Sequence, residues 1–175
     1  MPKCPVLRLN TLHPHLDAAL QEFEINTPAR AAAFLGQIAH ESGELRWMSE
    51  IWGPTAQQRK YEPPSDLAKR LGNTEPGDGY RYRGRGVIQL TGRANYRAAG
   101  KALGVNYESE PDAASTAPQT FRVAGWYWDS RKLNTKADAG DYDGITRAIN
   151  GGLNGKADRD RYHAAARKAL GIANA

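Results

Sequence analysis

The stretch that decides the fold is residues 27–43, which read TPARAAAFLGQIAHESG. Thr27 and Pro28 are a typical helix start, because a hydroxyl side chain can cap the first turn and proline is favoured at the first helical position. Gly43 favours a helix end, since glycine readily adopts the backbone conformation that closes a helix. The sequence therefore predicts a helix that begins at Pro28 and ends at residues 40–42.

A glutamate falls on the apolar side of this helix. Phe34, Ile38 and Glu41 are four and three positions apart, so they share one helical face. Burial of that face would place the Glu41 carboxyl away from water, which suits a general acid. The alternative is a carboxylate at the helix end that turns outward to solvent, and the spacing leaves both open. Glu44 follows Gly43, and we expect its side chain to face solvent.

A second glutamate, Glu50, lies among Trp47, Ile51 and Trp52. These large side chains either belong to the core, which is favoured for each tryptophan taken alone, or form a wall on which sugar rings stack. In polar surroundings Glu50 would suit the activation of a water molecule. Two carboxyl groups in unlike surroundings are typical of glycoside hydrolysis, with roughly 6.5–9.5 Å between them in inverting enzymes and about 5 Å in retaining ones. The sequence leaves this distance open.

Further helices are predicted from apolar spacing and capping residues. They cover residues 12–24, 65–71, 93–103, 141–149 and 158–170, with another that starts near residue 117 and carries Trp126 and Trp128. Thr91 is expected to cap the helix at 93–103, and Gly104 to close it. Residues 53–79 hold many glycines, prolines and charges, which predicts a long loop around one short helix. We predict a single, mainly α domain over residues 1–175 with minimal β structure.

Residues 80–91 read YRYRGRGVIQLT. The alternation after Gly86 predicts a short extended segment, from one face of which Gln89 and Thr91 can bind hydroxyl groups, amides or a water molecule. The three arginines of this stretch suit either a phosphate backbone or a cleft rich in carboxylates. Its glycine spacing does not match a phosphate-binding loop, because no Gly-Lys-Ser/Thr follows.

Composition limits the classes of function. The chain has 175 residues, a mass of 19.2 kDa and 40% hydrophobic residues, which fits one ordinary domain. A net charge of +5 and a pI near 9.4 favour an anionic partner such as nucleic acid, lipid or cell wall, although such a charge also aids solubility. The single Cys4 excludes an internal disulfide and a cysteine-rich zinc site. The histidines do not cluster, so we expect no metal and no cofactor.

Three separate segments together resemble glycoside hydrolase family 19, the chitinase-like lysozyme family. They are AHESG at 39–43, YRGRGVIQLT at 82–91, and INGG at 149–152. Within that family the chain more closely resembles the compact endolysins of bacteriophages and prophages that attack Gram-negative hosts. The resemblance spans about residues 28–170 and implies a mainly α-helical, lysozyme-like fold of two lobes with a cleft between them.

The resemblance also implies roles for individual residues. Glu41 would be the general acid and Glu50 the general base in an inverting cleavage of β-1,4 bonds in peptidoglycan. Glu62 is the reserve candidate for the second acid, because the loop that carries Glu50 differs from that of plant-type chitinases. Thr91 would help to place the attacking water. The full set of expected substrate-binding residues is Gln89, Thr91, Asn95, Asn150, Tyr82 and Arg85.

The expected partners follow from the same resemblance. They are peptidoglycan glycan strands, with no nucleic acid and no cofactor, and we expect a monomer. The N-terminus lacks the apolar run of a secretory signal. We therefore expect the chain to stay in the host bacterial cytoplasm until lysis and to reach the periplasm and cell wall through a holin that it does not contact. The alternatives are a chitinase acting on N-acetylglucosamine polymers, a lytic transglycosylase, and a non-catalytic module that binds cell wall or nucleic acid.

Overall fold

The computed structural model describes residue 1 and residues 3–172. Within this part the chain forms ten α-helices and one 3₁₀ helix, and its β structure is limited to isolated bridges. The helices are α1 (Val6–Glu22), α2 (Pro28–Glu41), α3 (Ala56–Arg59), α4 (Asp66–Leu71), α5 (Asp78–Arg81), α6 (Arg93–Leu103), the 3₁₀ helix (Pro111–Ser115), α7 (Gln119–Ser130), α8 (Leu133–Asp138), α9 (Tyr142–Asn150) and α10 (Lys156–Ala169). The prediction of a mainly α fold with minimal β structure is confirmed.

The chain divides into two compact units. The first combines the chain up to Arg46 with the part from Gly125 onward, and the second is Trp47–Ala124. A single catalytic domain over residues 1–175 stays a prediction, and residues 2 and 173–175 of that range lie outside the described part.

The first unit is built on the pair α2 and α10, with α8 also packed against α2. The close approach depends on Gly36, where a Cβ atom would lie 2.5 Å from the Tyr142 hydroxyl and 3.1 Å from the Cα atom of His163. Phe34 on α2 is buried, and its ring meets Trp128 edge to face with 5.3 Å between centroids. Burying side chains of this size contributes about 1.5–3 kcal/mol each. Glu41, at the end of α2, is therefore carried by the best-packed helix of this unit.

The predicted limits of α2 are confirmed. The Thr27 side chain accepts a hydrogen bond from the backbone N–H of Arg30, Pro28 occupies the first turn, and the helix ends at Glu41. The capping residues therefore set the register that places Glu41 in the last turn, because a helix that starts at a fixed residue also fixes the direction of every later side chain.

The second unit holds α3 to α6 and the 3₁₀ helix. Its buried side chains include several aromatic rings: Tyr82, Tyr96, Tyr107 and Phe121. Helix α4 packs against α6. Gly92 permits this contact, because its φ is +93° and a Cβ atom there would lie 2.7 Å from the Cβ atom of Leu71. The short helix expected at residues 65–71 is present, with Ser65 as its cap.

Three expectations about helices are wrong. Helix α1 begins at Val6 rather than at residue 12, and it includes Pro14, which removes one backbone donor without ending the helix. Thr91 does not cap α6: the cap position is Gly92, and the first N–H of the helix, that of Arg93, donates to Asn73 Oδ1 at 2.8 Å. The third is the single short helix expected within residues 53–79, where the structure has α3, α4 and the start of α5. The 3₁₀ helix, α3, α5 and α8 were not predicted.

The segment expected to be extended after Gly86 is a tight turn. Arg85 and Leu90 close it with two backbone hydrogen bonds of 2.8 and 3.1 Å. Val87 and Ile88 are both buried, and Gln89 has a φ of +53°. The alternation failed as a predictor because Val87 and Ile88 both pack inward, whereas consecutive residues of a strand point to opposite faces.

Candidate functional site

Glu41 makes an ion pair with Arg159 of α10. Arg159 Nη2 donates to Glu41 Oε1 at 2.5 Å, and the side chains are 2% and 18% exposed respectively. Arg159 also donates to Gln37 Oε1 at 2.5 Å and to the Asn154 carbonyl at 3.3 Å. The guanidinium group is thus held from three directions, and it fixes the end of α2 that carries Glu41.

This arrangement corrects both expectations for Glu41. The face it shares with Phe34 and Ile38 is buried, as the spacing predicted. The carboxyl group, however, neither enters an apolar environment nor turns freely to water, because α10 brings Arg159 against it. Helix periodicity gives the direction of a side chain, whereas the partner on a second helix decides its environment.

Two more groups of the first unit lie near this ion pair. Burial raises the pKa of the Tyr127 phenol, Arg131 opposes that effect, and the charge of Glu41 adds to it. Asn150 donates to the carbonyl of Asn154, at 3.3 Å, which also accepts from Arg159. Asn150, a predicted substrate-binding residue, therefore shares a hydrogen-bond acceptor with Arg159, the partner of Glu41.

His40 turns away from Glu41. Its Nδ1 atom lies 2.8 Å from Asp158 Oδ2, so it is engaged with the start of α10. The hydrogen bond from Arg161 lowers the pKa of Asp158 below its usual value. Burial opposes this effect, and the contact with His40 adds to it.

Glu44 is buried, and its predicted exposure is wrong. It is 1% exposed and accepts hydrogen bonds from the Lys3 backbone N–H at 2.6 Å and the Tyr162 hydroxyl at 2.9 Å. The reason lies in the backbone, since Gly43, Glu44 and Leu45 have φ values of +55°, +62° and +65°. This left-handed turn directs the Glu44 side chain inward.

Glu50, in the second unit, is held by neutral donors. Gln58 Nε2 donates to Oε1 at 2.9 Å, and the Gly84 N–H donates to Oε2 at 3.0 Å. The backbone N–H of Glu50 donates in turn to the Gly84 carbonyl at 2.8 Å. Burial, and secondarily the charge of Glu50, raise the pKa of Tyr61 above its usual value of 10.0. Sequence reasoning missed Gln58, although Thr55-x-x-Gln58 is a capping-box pattern that could have identified it.

The turn at residues 85–90 brings predicted site residues close to Glu50. A Cβ atom on Gly84 would lie 2.7 Å from Gln89 Oε1 and 3.4 Å from Glu50 Oε2, so the glycine leaves room for both side chains. Thr91 Oγ1 donates to the Gln89 carbonyl at 2.9 Å, and Asn95 Nδ2 donates to the Thr91 carbonyl at 2.7 Å. Gln89, Thr91 and Asn95 therefore form one hydrogen-bonded series that begins beside Glu50.

Tyr82 and Arg85 have packing roles, which do not fit the expected contact with a substrate. They are 1% and 2% exposed. The Tyr82 hydroxyl donates to the Glu108 carbonyl at 3.1 Å, and Arg85 Nε donates to Asp112 Oδ1 at 2.7 Å. Both side chains tie the turn to neighbouring parts of the second unit.

Glu62, the reserve candidate, holds a loop. Its two carboxylate oxygens accept the backbone N–H groups of Gly77 at 2.9 Å and Tyr80 at 3.2 Å. These contacts bind the start of α5 to the loop after α3. Glu50 therefore fits the role of second acid better, because its neighbours are predicted site residues and those of Glu62 are backbone groups of a helix start.

Apolar side chains near Glu50 reach the surface. Trp47 is 44% exposed and Ile51 is 69% exposed, so neither belongs to the core. Trp52 lies between two tyrosines, with ring centroids 5.6 Å from Tyr80 and 6.2 Å from Tyr61. Exposed rings of this kind can cover the apolar faces of sugars.

The second unit also has a large groove of about 1440 Å³, lined mainly by residues 75–85 and 106–116. Its charged side chains largely pair with one another, as in Arg93 with Asp78 and Arg85 with Asp112. Glu50 and Gln89 are not among its lining residues. This groove is therefore separate from the surroundings of Glu50 and Gln89.

Among residue 1 and residues 3–172, no group of three or more His, Cys, Asp or Glu side chains is placed to hold a metal ion. Over the same described part, no helix has the length and apolar character needed to cross a membrane.

The comparisons with known proteins converge on one family. The family model described as chitinase class I matches residues 22–142, a range that includes Glu41, Glu50 and the turn at 85–90. A glycosyl hydrolase family 19 domain-containing protein of Haemophilus influenzae is 34% identical, with 89% of this chain and 92% of the relative aligned. Chitinase 2 of Oryza sativa subsp. japonica is also 34% identical, but the alignment covers 73% of this chain and only 45% of that enzyme.

Solved structures give the same picture. A bacterial family 19 chitinase superposes with a TM-score of 0.71 at 26% identity, over 91% of this chain and 86% of the other. Chitinase C of Streptomyces griseus superposes with a TM-score of 0.70 at 27% identity, over 90% of this chain and 69% of the other.

Proposed function

The chain belongs to glycoside hydrolase family 19, and from this premise we propose that it cleaves the β-1,4 bonds of bacterial peptidoglycan with inversion at the anomeric carbon. The observation that carries the proposal is the pair of differently supported glutamates in a family 19 chain. Glu41 is held by a buried guanidinium group, and Glu50 is held by two N–H donors beside Gln89.

In the proposed reaction Glu41 gives a proton to the glycosidic oxygen as the bond from that oxygen to the anomeric carbon breaks. A water molecule attacks the opposite face of the sugar and loses a proton to Glu50. Such a mechanism requires roughly 6.5–9.5 Å between the two carboxyl groups, so that the water fits. Thr91 is proposed to help to place the water.

Three amide side chains are proposed to bind the glycan: Gln89, Asn95 and Asn150. An amide group can donate hydrogen bonds to sugar hydroxyl and N-acetyl groups and can also accept them. Trp47, exposed at 44%, offers an apolar surface for a sugar ring.

The choice of peptidoglycan rests on charge. A net charge of +5 suits an anionic wall polymer. We propose a lytic role as an endolysin monomer, with passage across the membrane provided by a holin that makes no contact with it.

The alternative is a chitinase, which the names of the plant and bacterial relatives favour. Both polymers contain N-acetylglucosamine, so the same carboxyl groups would serve. Turnover of soluble chitin oligomers much faster than that of purified peptidoglycan would select the chitinase.

The test uses Glu41→Gln and measures the clearing of permeabilised Gram-negative cells. We expect a loss of about 10²–10⁴-fold, the usual contribution of a general acid. The matched control is Glu75→Gln at an exposed position, which should clear cells at the normal rate.

Two product measurements complete the test. NMR should find the α anomer as the first product, and the β anomer would refute inversion. Mass spectrometry should find hydrated reducing ends, whereas 1,6-anhydro ends would show a lytic transglycosylase. Full clearing by Glu41→Gln would refute the assigned role, and binding without any turnover would indicate a non-catalytic module.

A further inference from the structure

Gln58 is only 4% exposed, and every hydrogen-bonding group of its side-chain amide has a protein partner. Its Nε2 atom donates to Glu50 Oε1 at 2.9 Å and to the Ile51 carbonyl at 2.8 Å. Its Oε1 atom accepts from the backbone N–H groups of Thr55 at 2.8 Å and Gly53 at 3.3 Å. One amide thus joins four points of the segment that carries Glu50.

The orientation of this amide follows from its neighbours. The backbone N–H groups of Gly53 and Thr55 can only donate, so the oxygen of Gln58 must face them. The nitrogen must then face the Ile51 carbonyl and Glu50, both of which are acceptors. An N–H group is therefore aimed at the Glu50 carboxyl by fixed backbone groups on the opposite side.

We propose that Gln58 is a positioning residue for Glu50: its amide fixes the rotamer in which the carboxylate accepts a proton from the attacking water. The inference rests on the proposed role of Glu50 as general base. Gly84 holds the other oxygen, so the carboxylate cannot rotate without losing a donor. Glutamine supplies this donor without charge, which leaves the carboxylate able to accept a proton.

A glutamate at this position would act differently. It could still accept from the N–H of Thr55, but it could donate to Glu50 only while protonated. When both carboxyl groups ionise, like charges would lie at hydrogen-bonding distance and would repel each other. Titration of the nearby Tyr61 does not contribute to the pH dependence, because burial raises its pKa above 10.0 and the phenol stays neutral between about pH 5 and 8.

The experiment measures kcat and KM from pH 5 to 8 on whichever N-acetylglucosamine polymer the wild type cleaves. For Gln58→Ala we expect kcat to fall by at least about tenfold, because misplacing a reacting group by roughly 1 Å can cost about 100-fold in rate, with KM nearly unchanged. For Gln58→Glu we expect kcat to fall progressively as pH rises, with much of the loss regained at pH 5.

Two kinds of control separate positioning from folding. Gln57 is exposed on the same short helix, so Gln57→Ala and Gln57→Glu should keep the wild-type pH profile. Thr55→Val removes the hydroxyl group that accepts the backbone N–H of Gln58, with 3.2 Å between Thr55 Oγ1 and Gln58 N. The variant keeps the side-chain amide of Gln58 that donates to Glu50. It should lower stability without altering the pH profile, and a profile like that of Gln58→Glu would overturn the proposal.

A readout without turnover covers variants that are inactive. A ¹³C-NMR titration of the Glu50 carboxyl, assigned with Glu50→Gln, should show one more titration step in Gln58→Glu than in the wild type, because the added carboxyl group couples to Glu50. Identical curves, or wild-type kcat in Gln58→Ala, would refute the positioning role. If Glu50→Gln itself retains full activity, the proposed function of Glu50 fails instead, and the two failures are distinguishable.

Discussion

Replacing Arg159 by methionine should destabilise the protein by about 3 kcal/mol. Arg159→Met keeps much of the side-chain volume but leaves the Glu41 carboxyl and Gln37 Oε1 without their donor. Breaking a buried ion pair by removing one partner costs about 3–5 kcal/mol. The lower end applies here, because Glu41 is 18% exposed and water can solvate it in part.

The assay is urea unfolding, with the midpoint falling at an unchanged m-value. For a chain of this size a loss of about 3 kcal/mol corresponds to a fall of about 6–12 °C in Tm. Arg161→Met is the matched control on the same helix: Arg161 is 55% exposed and pairs with Asp158 in solvent, so its loss should leave the urea midpoint nearly unchanged. Equal losses in the two variants would refute the reasoning that burial and shared hydrogen bonds make Arg159 important.

Two further predictions concern the second unit. Gly84→Ala should lower kcat by at least about tenfold, because the new Cβ atom would lie 2.7 Å from Gln89 Oε1 and displace that side chain. Gly53→Ala is the control: the nearest atom to its new Cβ atom would be 3.9 Å away, so kcat should equal that of the wild type. In the folded chain burial raises the pKa of Asp78, but hydrogen bonds from Arg93 and from backbone N–H groups outweigh it and hold the pKa below 3.8. Since the folded pKa lies below the unfolded one, the charged form stabilises the fold above about pH 4 and loses this effect as pH falls further. The stability difference between wild type and Asp78→Asn, measured by urea unfolding, should therefore be constant from pH 5 to 7 and shrink toward pH 3; a constant difference down to pH 3 would contradict this.

The helices that could be predicted from the sequence are those whose ends carry their own signals. Thr27 and Ser65 accept the N–H groups that their helices leave unpaired, and Gly104 closes α6 with a φ of +71°. Helix α8 has no such signal, because its cap position is Lys132 with a φ of +53° and no side-chain hydrogen bond. Local chemistry therefore predicted α2, α4 and the end of α6, whereas α3 was missed despite its capping box and α8 depends on tertiary packing.

The site could be predicted in part for the same reason. The spacing that put Glu41 on the face of Phe34 and Ile38 was correct, because it depends only on helix geometry. The partner Arg159 lies 118 positions away in the sequence, and no local pattern indicates it. Glu44 was misplaced because a left-handed turn at a residue other than glycine is uncommon and is not expected from the sequence.

The two glutamates depend on different parts of the fold. The donors to Glu50 come from Gln58 and Gly84, both within the second unit, and one of them sits in a capping box of a four-residue helix. The donor to Glu41 comes from α10, so its geometry depends on the long-range packing of α2 against α10. Changes at that helix pair, such as a larger residue at Gly36, therefore act on Glu41, whereas changes near Gln58 act on Glu50. Because the two supports share no residue, kinetic defects from the two groups of variants should combine additively in free energy until one carboxyl group is lost altogether.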